Sequence, residues 1–308
     1  MLANFFGKSK PVNFILILVL FLIYYILGFS VLNKPADLAG SFIDLLIVFP
    51  FFLVLFFLFS FLVSKNRLTK DNSYAMLLFI ISIGCLQSVI LDYKLIGISI
   101  LLFFFLRKVY SFRTYKAVYQ KLFDSGFCLG ILFLISPFFL LFSMLLYSSV
   151  FLFLKITIRT ILIPVLGMFT PLFLYYTYLF WIDDVATFYE LFDFVIVFDS
   201  SFYSSTFYTI LLSVFGFFTF ISIILRSGKV FSISNKFKRS WALLLTHLAV
   251  AIAFVLMMKD KNGSELIFVF VPVTIIISNW LQTVEKKGFV NVVLVFFLAL
   301  SFAIHFII

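Results

Sequence analysis

Few side chains in this sequence could do chemistry, and most of those are carboxylates at the edges of apolar runs. Asp37 and Asp44 flank the short turn in "NKPADLAGSFID", and Asp183 and Asp184 open the stretch "WIDDVATFYELFDFVIVFDSS". Acids gathered on one face of a membrane could coordinate a divalent ion or act as a general base. Adjacent acids diverge by roughly a third of a turn on a helix, so Asp183 and Asp184 alone would make a poor ion cage. Solvated loop charge accounts for the same four residues. They are the candidates for catalysis. His247, directly after Thr246, is the titratable group set best inside an apolar run. It could relay a proton or touch a ligand, and it could equally share a hydrogen bond with a neighbouring helix. His247, Gln87 and Arg159 are the candidates for substrate contact. Gln87, Asn279 and Asn291 are also the kind of embedded amide that bonds helix to helix, worth ~0.6 kcal/mol or a little more.

Other chemistries lack a foundation in the sequence. It holds no phosphate-binding loop, no glycine-rich nucleotide fingerprint, no HExxH and no serine nucleophile elbow. Cys85 and Cys128 both fall in apolar segments and serve there as small hydrophobes, without metal-site spacing. The expectation is a protein with no metal and no cofactor.

The elements that carry these residues must be membrane helices. Hydrophobic residues make up 64% of the 308 positions and charged residues 12%. A soluble chain needs about twice that charge to cover itself. A bilayer is crossed by ~20 apolar residues, since ~30 Å of hydrocarbon is traversed at ~1.5 Å per residue. Apolar runs of this kind recur from Phe14 onward, and they are continuous rather than alternating, which excludes an outer-membrane barrel. The run after "MLANFFGKSKPVN" is too long for a signal peptide and has no small-residue cleavage site, so it reads as a retained first span. The expected fold is all-α: a single polytopic helical bundle over 1–308. Its spans are expected near 12–32, 41–63, 74–90, 95–106, 124–136, 138–154, 160–181, 205–225, 240–258, 266–282 and 289–307.

Loop charge tests that map, because Lys and Arg stay on the cytoplasmic side. With the N-terminus inside, 19 of the 23 basic residues fall in inner segments and 10 of the 13 acidic residues in outer ones. The basic excess then faces anionic lipid headgroups rather than nucleic acid. The expected location is a bacterial inner (cytoplasmic) membrane. Segments 95–106 and 124–136 are short for full crossings. Pro137 cannot donate a backbone hydrogen bond and biases Ser136 away from helix, which suggests a tight hairpin of two short helices. A single kinked helix there would give ten spans instead of eleven. Between the spans, 107–123 suggests a basic interfacial helix on the inner leaflet, and 182–204 an acidic outer loop.

Two stretches resemble known proteins. "MLANFFGKSKPVNF" and "KLFDSGFCLGILFLISP…RTILIPVLGMFTPLFL" resemble an uncharacterised group of polytopic inner-membrane proteins from Bacteroidota. The second stretch, through Gly126, Gly130, Pro137 and Arg159, is also loosely similar to the middle of membrane glycosyltransferases of the C superfamily. That likeness would imply acids acting in a long first outer loop, and here the loop is a handful of residues around Asp37. Three functions stay open: a non-enzymatic membrane subunit or scaffold in envelope biogenesis that handles a lipid-linked substrate, a lipid-linked sugar transferase, and a transporter or channel for a neutral solute. The expected partners are membrane lipids, other membrane proteins and a lipid-linked glycan.

Overall fold

The computed structural model describes residues 1–32, 38–192, 200–230, 235–258 and 261–304. Regular structure among them is helical: α1 (Leu2–Phe5), α2 (Pro11–Leu32), α3 (Leu38–Lys65), α4 (Tyr74–Cys85), α5 (Gln87–Leu91), α6 (Tyr93–Ser111), α7 (Val118–Ile135), α8 (Phe142–Phe153), α9 (Ile158–Trp181), α10 (Val185–Glu190), α11 (Thr206–Val230), α12 (Asn235–Met257), α13 (Ile267–Leu281) and α14 (Lys287–Ala303). Short 3-10 turns stand at Phe112–Thr114, Pro137–Leu141, Ser201–Ser204 and Ser264–Leu266. Among the described residues, eight segments are long and apolar enough to cross a membrane; Tyr74–Cys85, Pro137–Phe153 and Lys287–Ala303 are apolar but shorter. The architecture is that of a multi-span helical membrane protein.

The helix ends differ from those read off the sequence. The segment 107–123 is not one interfacial helix. α6 runs on through Arg107 and Lys108 to Ser111, a 3-10 turn follows, and α7 begins at Val118. Tyr115 and Ala117 take left-handed backbone angles and break the path between them. Apolarity stops at the first charge, but a helix need not, because Lys and Arg lay their methylene stems along apolar surface. The two segments that looked short are therefore helices of 19 and 18 residues. Conversely, the span expected at 74–90 breaks at Leu86, whose backbone departs from helix (φ −106°, ψ 80°). The break at Ser136–Pro137 is present: Ser136 is extended, and Pro137 opens a 3-10 turn. Inside the acidic loop 182–204 lies a further short helix, α10.

The chain forms two compact units. The first comprises Met1–Gly97, Ser200–Ile233 and Lys261–Ile308; the second comprises Ile98–Asp199 and Ser234–Asp260.

In the first unit α13 is the central helix. All of it but Val269 is buried, as expected of a helix apolar on every side. Tyr24 of α2 lies over Gly84 of α4, where a Cβ would stand 2.6 Å from its ring. Its hydroxyl meets Ser301 of α14. Asn279 donates to the carbonyls of Leu68 and Ile275 (both 2.9 Å), and Asn291 accepts the amide of Ala3 (2.6 Å). Both amides bond between elements, as such residues do in a membrane interior.

The second unit is built on the crossing of α7 and α9. A Cβ added to Gly126 would stand 2.0 Å from the carbonyl oxygen of Pro164. One on Gly130 would stand 2.4 Å from that of Met168, and one on Gly167 2.3 Å from that of Phe123. Three glycines thus let two backbones touch, the small-residue packing of membrane helices. The paired positions advance together, so α7 and α9 run parallel and α8 returns the chain between them. Pro164 and Pro171 both lie inside α9, which is closed at its start by a reciprocal Thr157–Thr160 cap. α12 lies antiparallel to α8: Phe254 near its end packs on Phe139 and Phe142, centroids 4.4 and 5.5 Å apart.

Candidate functional site

Beyond the glycine crossing, α7 and α9 enclose an open apolar pocket of about 460 Å³. Met168, Phe169, Leu172, Phe173 and Tyr176 line it from α9, at spacings that place them along one side of a helix. Phe133 of α7 and Leu140 of the 3-10 turn form the facing wall. Phe188 and Phe192 cover it from α10 and the turn behind it. The cover is held by rings: Phe188 stands edge-on to Tyr176 (centroids 5.1 Å) and packs on Phe192 (5.5 Å), which reaches Phe133 (5.7 Å). Asp183, at φ 57°, turns the chain back after α9, a conformation Asp tolerates better than most residues. Asp184 then accepts the hydroxyl of Thr187 (2.8 Å), tying the first turn of α10.

The volume falls within the roughly 300–1,000 Å³ typical of small-molecule sites. Of the lining residues only Tyr176 carries a polar group. The lining holds no carboxylate, thiol, amine or imidazole, and its polar chemistry is the Tyr176 phenol.

Within the second unit, Asp183 and Asp184 do not meet Arg159. Asp183 and Asp184 are exposed just past the last turn of α9, while Arg159 is exposed in its first turn. A helix of 24 residues is about 36 Å long, so the acids and Arg159 lie at opposite ends of it. Asp37 lies outside the described residues. Asp44 and Gln87 are placed by their backbones alone, on α3 and α5 in the first unit. His247 is fully buried in the second unit. Its Nδ1 pairs with the Tyr110 hydroxyl at 2.9 Å, Phe142 stands edge-on to its ring, and Nε2 meets no hydrogen-bond partner among the described residues. The Tyr110–His247 pair ties α6 to α12 within an aromatic interior. Among the described residues no three His, Cys, Asp or Glu side chains come together as a metal site would require.

Sequence reasoning missed a polar cluster in the first unit. Glu265 has 0% exposure, in the turn leading into α13. It accepts the hydroxyl of Tyr203 and the amide of Asn262 (3.2 Å). Asp92 accepts from Asn262 Nδ2 (3.1 Å) and Ser264 Oγ (2.9 Å), and caps α6 through the amide of Leu95 (3.0 Å). Gly263 takes φ +87°, and a Cβ there would fall 1.9 Å from the Tyr208 hydroxyl, so only glycine fits. Burial, followed by the hydrogen bond to Glu265 and its charge, holds the Tyr203 phenol well above the usual tyrosine range. Buried Glu265 is satisfied by two donors, as a buried charge must be, and half-buried Asp92 takes donors from its own helix start and from the connection before α13. The cluster binds three connections together. It was invisible in the sequence because Tyr203 and Glu265 are 62 positions apart.

No curated protein and no solved structure matches the chain. One protein family does, described as a family of unknown function (DUF6427), and the match runs over residues 1–308. A multi-span helical chain with an aromatic pocket in its second unit, this protein belongs to the DUF6427 family.

Proposed function

We propose that this protein is a non-catalytic multi-span subunit of a bacterial cytoplasmic membrane, serving envelope biogenesis by holding the aliphatic chain of a lipid in its second unit. The pocket between α7, α9 and α10 carries the proposal: about 460 Å³ of apolar, largely aromatic space on a helix of membrane-spanning length. A lipid chain in a bilayer is already out of water, so transfer from water adds little to binding there. What a pocket adds is contact, individually small and large in sum, from rigid rings that lipid tails cannot supply. The sorting of 19 basic residues to one set of connections supports a cytoplasmic N-terminus. The parallel course of α7 and α9 supports the hairpin between them, and with it eleven crossings.

The test is lipid content. Protein purified in a mild detergent should retain a lipid in fixed proportion through repeated detergent washes, measured by extraction and mass spectrometry. Leu140→Trp, which pushes an indole into the pocket from a half-exposed turn, should remove it. Lipid lost by the wild type as readily as by the variant would contradict the proposal.

A further inference from the structure

A helix of four residues is not stable by itself, so α1 is held in place by what it touches in the first unit. The amide of Ala3 donates to Asn291 of α14, and its carbonyl accepts the hydroxyl of Tyr74 of α4, both at 2.6 Å. The carbonyl of Phe6 accepts the amide of Ser73 (2.9 Å). Asn13 of α2 donates to the carbonyls of Phe5 (2.9 Å) and Lys8 (2.6 Å). Ala3 and Phe6 are buried in this packing, while Met1, Asn4 and Phe5 stay exposed. With Leu2, Phe6 and Leu16 these three line an open recess of about 700 Å³, apolar except for the Asn4 amide. The same contacts bring basic residues to it. Lys8 shares the Asn13 side chain with Phe5, and Lys10 immediately precedes α2, whose second turn carries Leu16. Lys286 and Lys287 stand at the start of α14, and Lys287 is one turn, or about 6 Å, before Asn291. All four are exposed. Ser73 and Lys70 tie the neighbouring connection 65–73 to Phe6 and to Gln282. Every residue of 7–10, 65–73 and 282–287 is described, and together they carry Lys8, Lys10, Lys65, Arg67, Lys70, Lys286 and Lys287 against Asp71 and Glu285. Among the described residues none of these side chains forms an ion pair.

We infer that this recess takes an anionic phospholipid of the bilayer, with its phosphate among Lys8, Lys10, Lys286 and Lys287 and the upper part of one chain against Leu2, Phe5 and Leu16. This is a different lipid from the one held in the second unit. The place suits it: α2 and α14 turn apolar just beyond these lysines, so the recess stands where hydrocarbon meets water. A lysine ammonium is a compact charge that binds phosphate. A zwitterionic headgroup brings its own ammonium beside the phosphate, and four lysines repel it; like-charge juxtaposition is a means of rejecting ligands. Charge selection here falls with added salt, because exposed charges are screened within about 8 Å at physiological ionic strength. The recess is open, so its lipid exchanges with the bilayer and is best observed in vesicles.

Crosslinking of the full chain in phosphatidylcholine vesicles tests this. The probes are trace phosphatidylglycerol and phosphatidylethanolamine with identical chains and a photoreactive group next to the glycerol, the part of the lipid that the recess meets. Adducts are mapped by peptide mass spectrometry. On residues 1–16 the glycerol lipid should label about tenfold over the ethanolamine lipid, the sum of a few exposed charge pairs. Raised salt should narrow that ratio. The variant Lys8→Gln, Lys10→Gln, Lys286→Gln, Lys287→Gln should bring it near one. The variant Lys116→Gln, Lys155→Gln, Arg159→Gln, Arg239→Gln removes as many exposed charges from the second unit and should leave it unchanged. Phe5→Ala, at a half-exposed ring, should lower labelling of 1–16 by both lipids. Equal labelling of the wild type, or a ratio that survives the first variant, overturns the headgroup assignment. A ratio that falls as far in the second variant overturns the site, since it would show a general attraction to a basic protein. Undiminished labelling of Phe5→Ala overturns the recess as the place of contact. An acidic protein recovered on residues 1–16 from native membranes in place of lipid overturns the choice of occupant.

Discussion

Replacing Gly126 with alanine puts the helix crossing that carries the pocket under direct test. The new Cβ would meet Pro164 at three backbone atoms, its oxygen at 2.0 Å, its carbonyl carbon at 2.8 Å and its Cα at 2.9 Å. Ordinary contact begins at 3.4 Å, so α7 and α9 must part by about 1.4 Å. A gap of 0.5–1 Å already forfeits roughly a quarter to a half of a contact's energy, and here the whole crossing opens. Overpacking of this kind costs about 1–3 kcal/mol, and the upper end applies because the obstacle is backbone and cannot rotate away. Alanine returns about 1 kcal/mol of helix propensity over glycine. The net expectation is a loss of roughly 1–2 kcal/mol. Gly216 supplies the control, since a Cβ there meets nothing within 4 Å and Gly216→Ala should gain the propensity alone. Thermal unfolding in one detergent, followed by circular dichroism, should rank Gly126→Ala below the wild type and Gly216→Ala at or above it. Gly126→Ala melting with or above the wild type would refute the backbone contact, and with it the reason α7 and α9 hold a pocket between them.

Three further expectations follow from other parts of the chain. The folded Tyr203 phenol titrates above its unfolded value of about 10, so the stability it contributes is complete below pH 10 and is lost as pH rises beyond it. Melting measured from neutral to strongly alkaline pH should therefore fall more steeply in the wild type than in Tyr203→Phe, and identical slopes would remove Tyr203 from the cluster. Glu265→Leu leaves the hydroxyl of Tyr203 and the amide of Asn262 without an acceptor in a buried site, which should cost about 1–3 kcal/mol, read as a lowered melting temperature. Tyr110→Phe strips His247 of its only hydrogen bond among the described contacts and should destabilise the second unit by about 1 kcal/mol or more, seen as faster hydrogen exchange in α12.

The extent to which this structure was legible in the sequence follows from the bilayer. Crossing hydrocarbon demands long apolar runs, so each of the eleven expected segments contains an apolar helix. The hairpin at Ser136–Pro137 was readable because proline's missing donor acts locally. The helix ends at Ser111 and Val118 were not, because the arginine and lysine stems there extend a helix that hydropathy alone would stop. The pocket was hidden for a different reason. Met168, Phe169 and Phe173 look like any lipid-facing side chains in a sequence with 49 phenylalanines. Only the approach of α10 gives them something to enclose. One signal was available: Gly126 and Gly130 are four apart on α7, the spacing that brings membrane helices into backbone contact. Glu265 carried no such signal, since what matters about it is a buried partner brought from another connection.

Photo-crosslinking places the central claim at greatest risk. Cells would be fed a fatty acid carrying a photoreactive group in its chain, and the adducts mapped on the purified protein by peptide mass spectrometry. Adducts should concentrate on 168–176 and 188–192 and disappear in Leu140→Trp. Adducts spread evenly over exposed apolar residues such as Leu162, Leu166, Phe217 and Phe220, unchanged by that substitution, would show a surface merely bathed in lipid and would contradict a pocket that holds one.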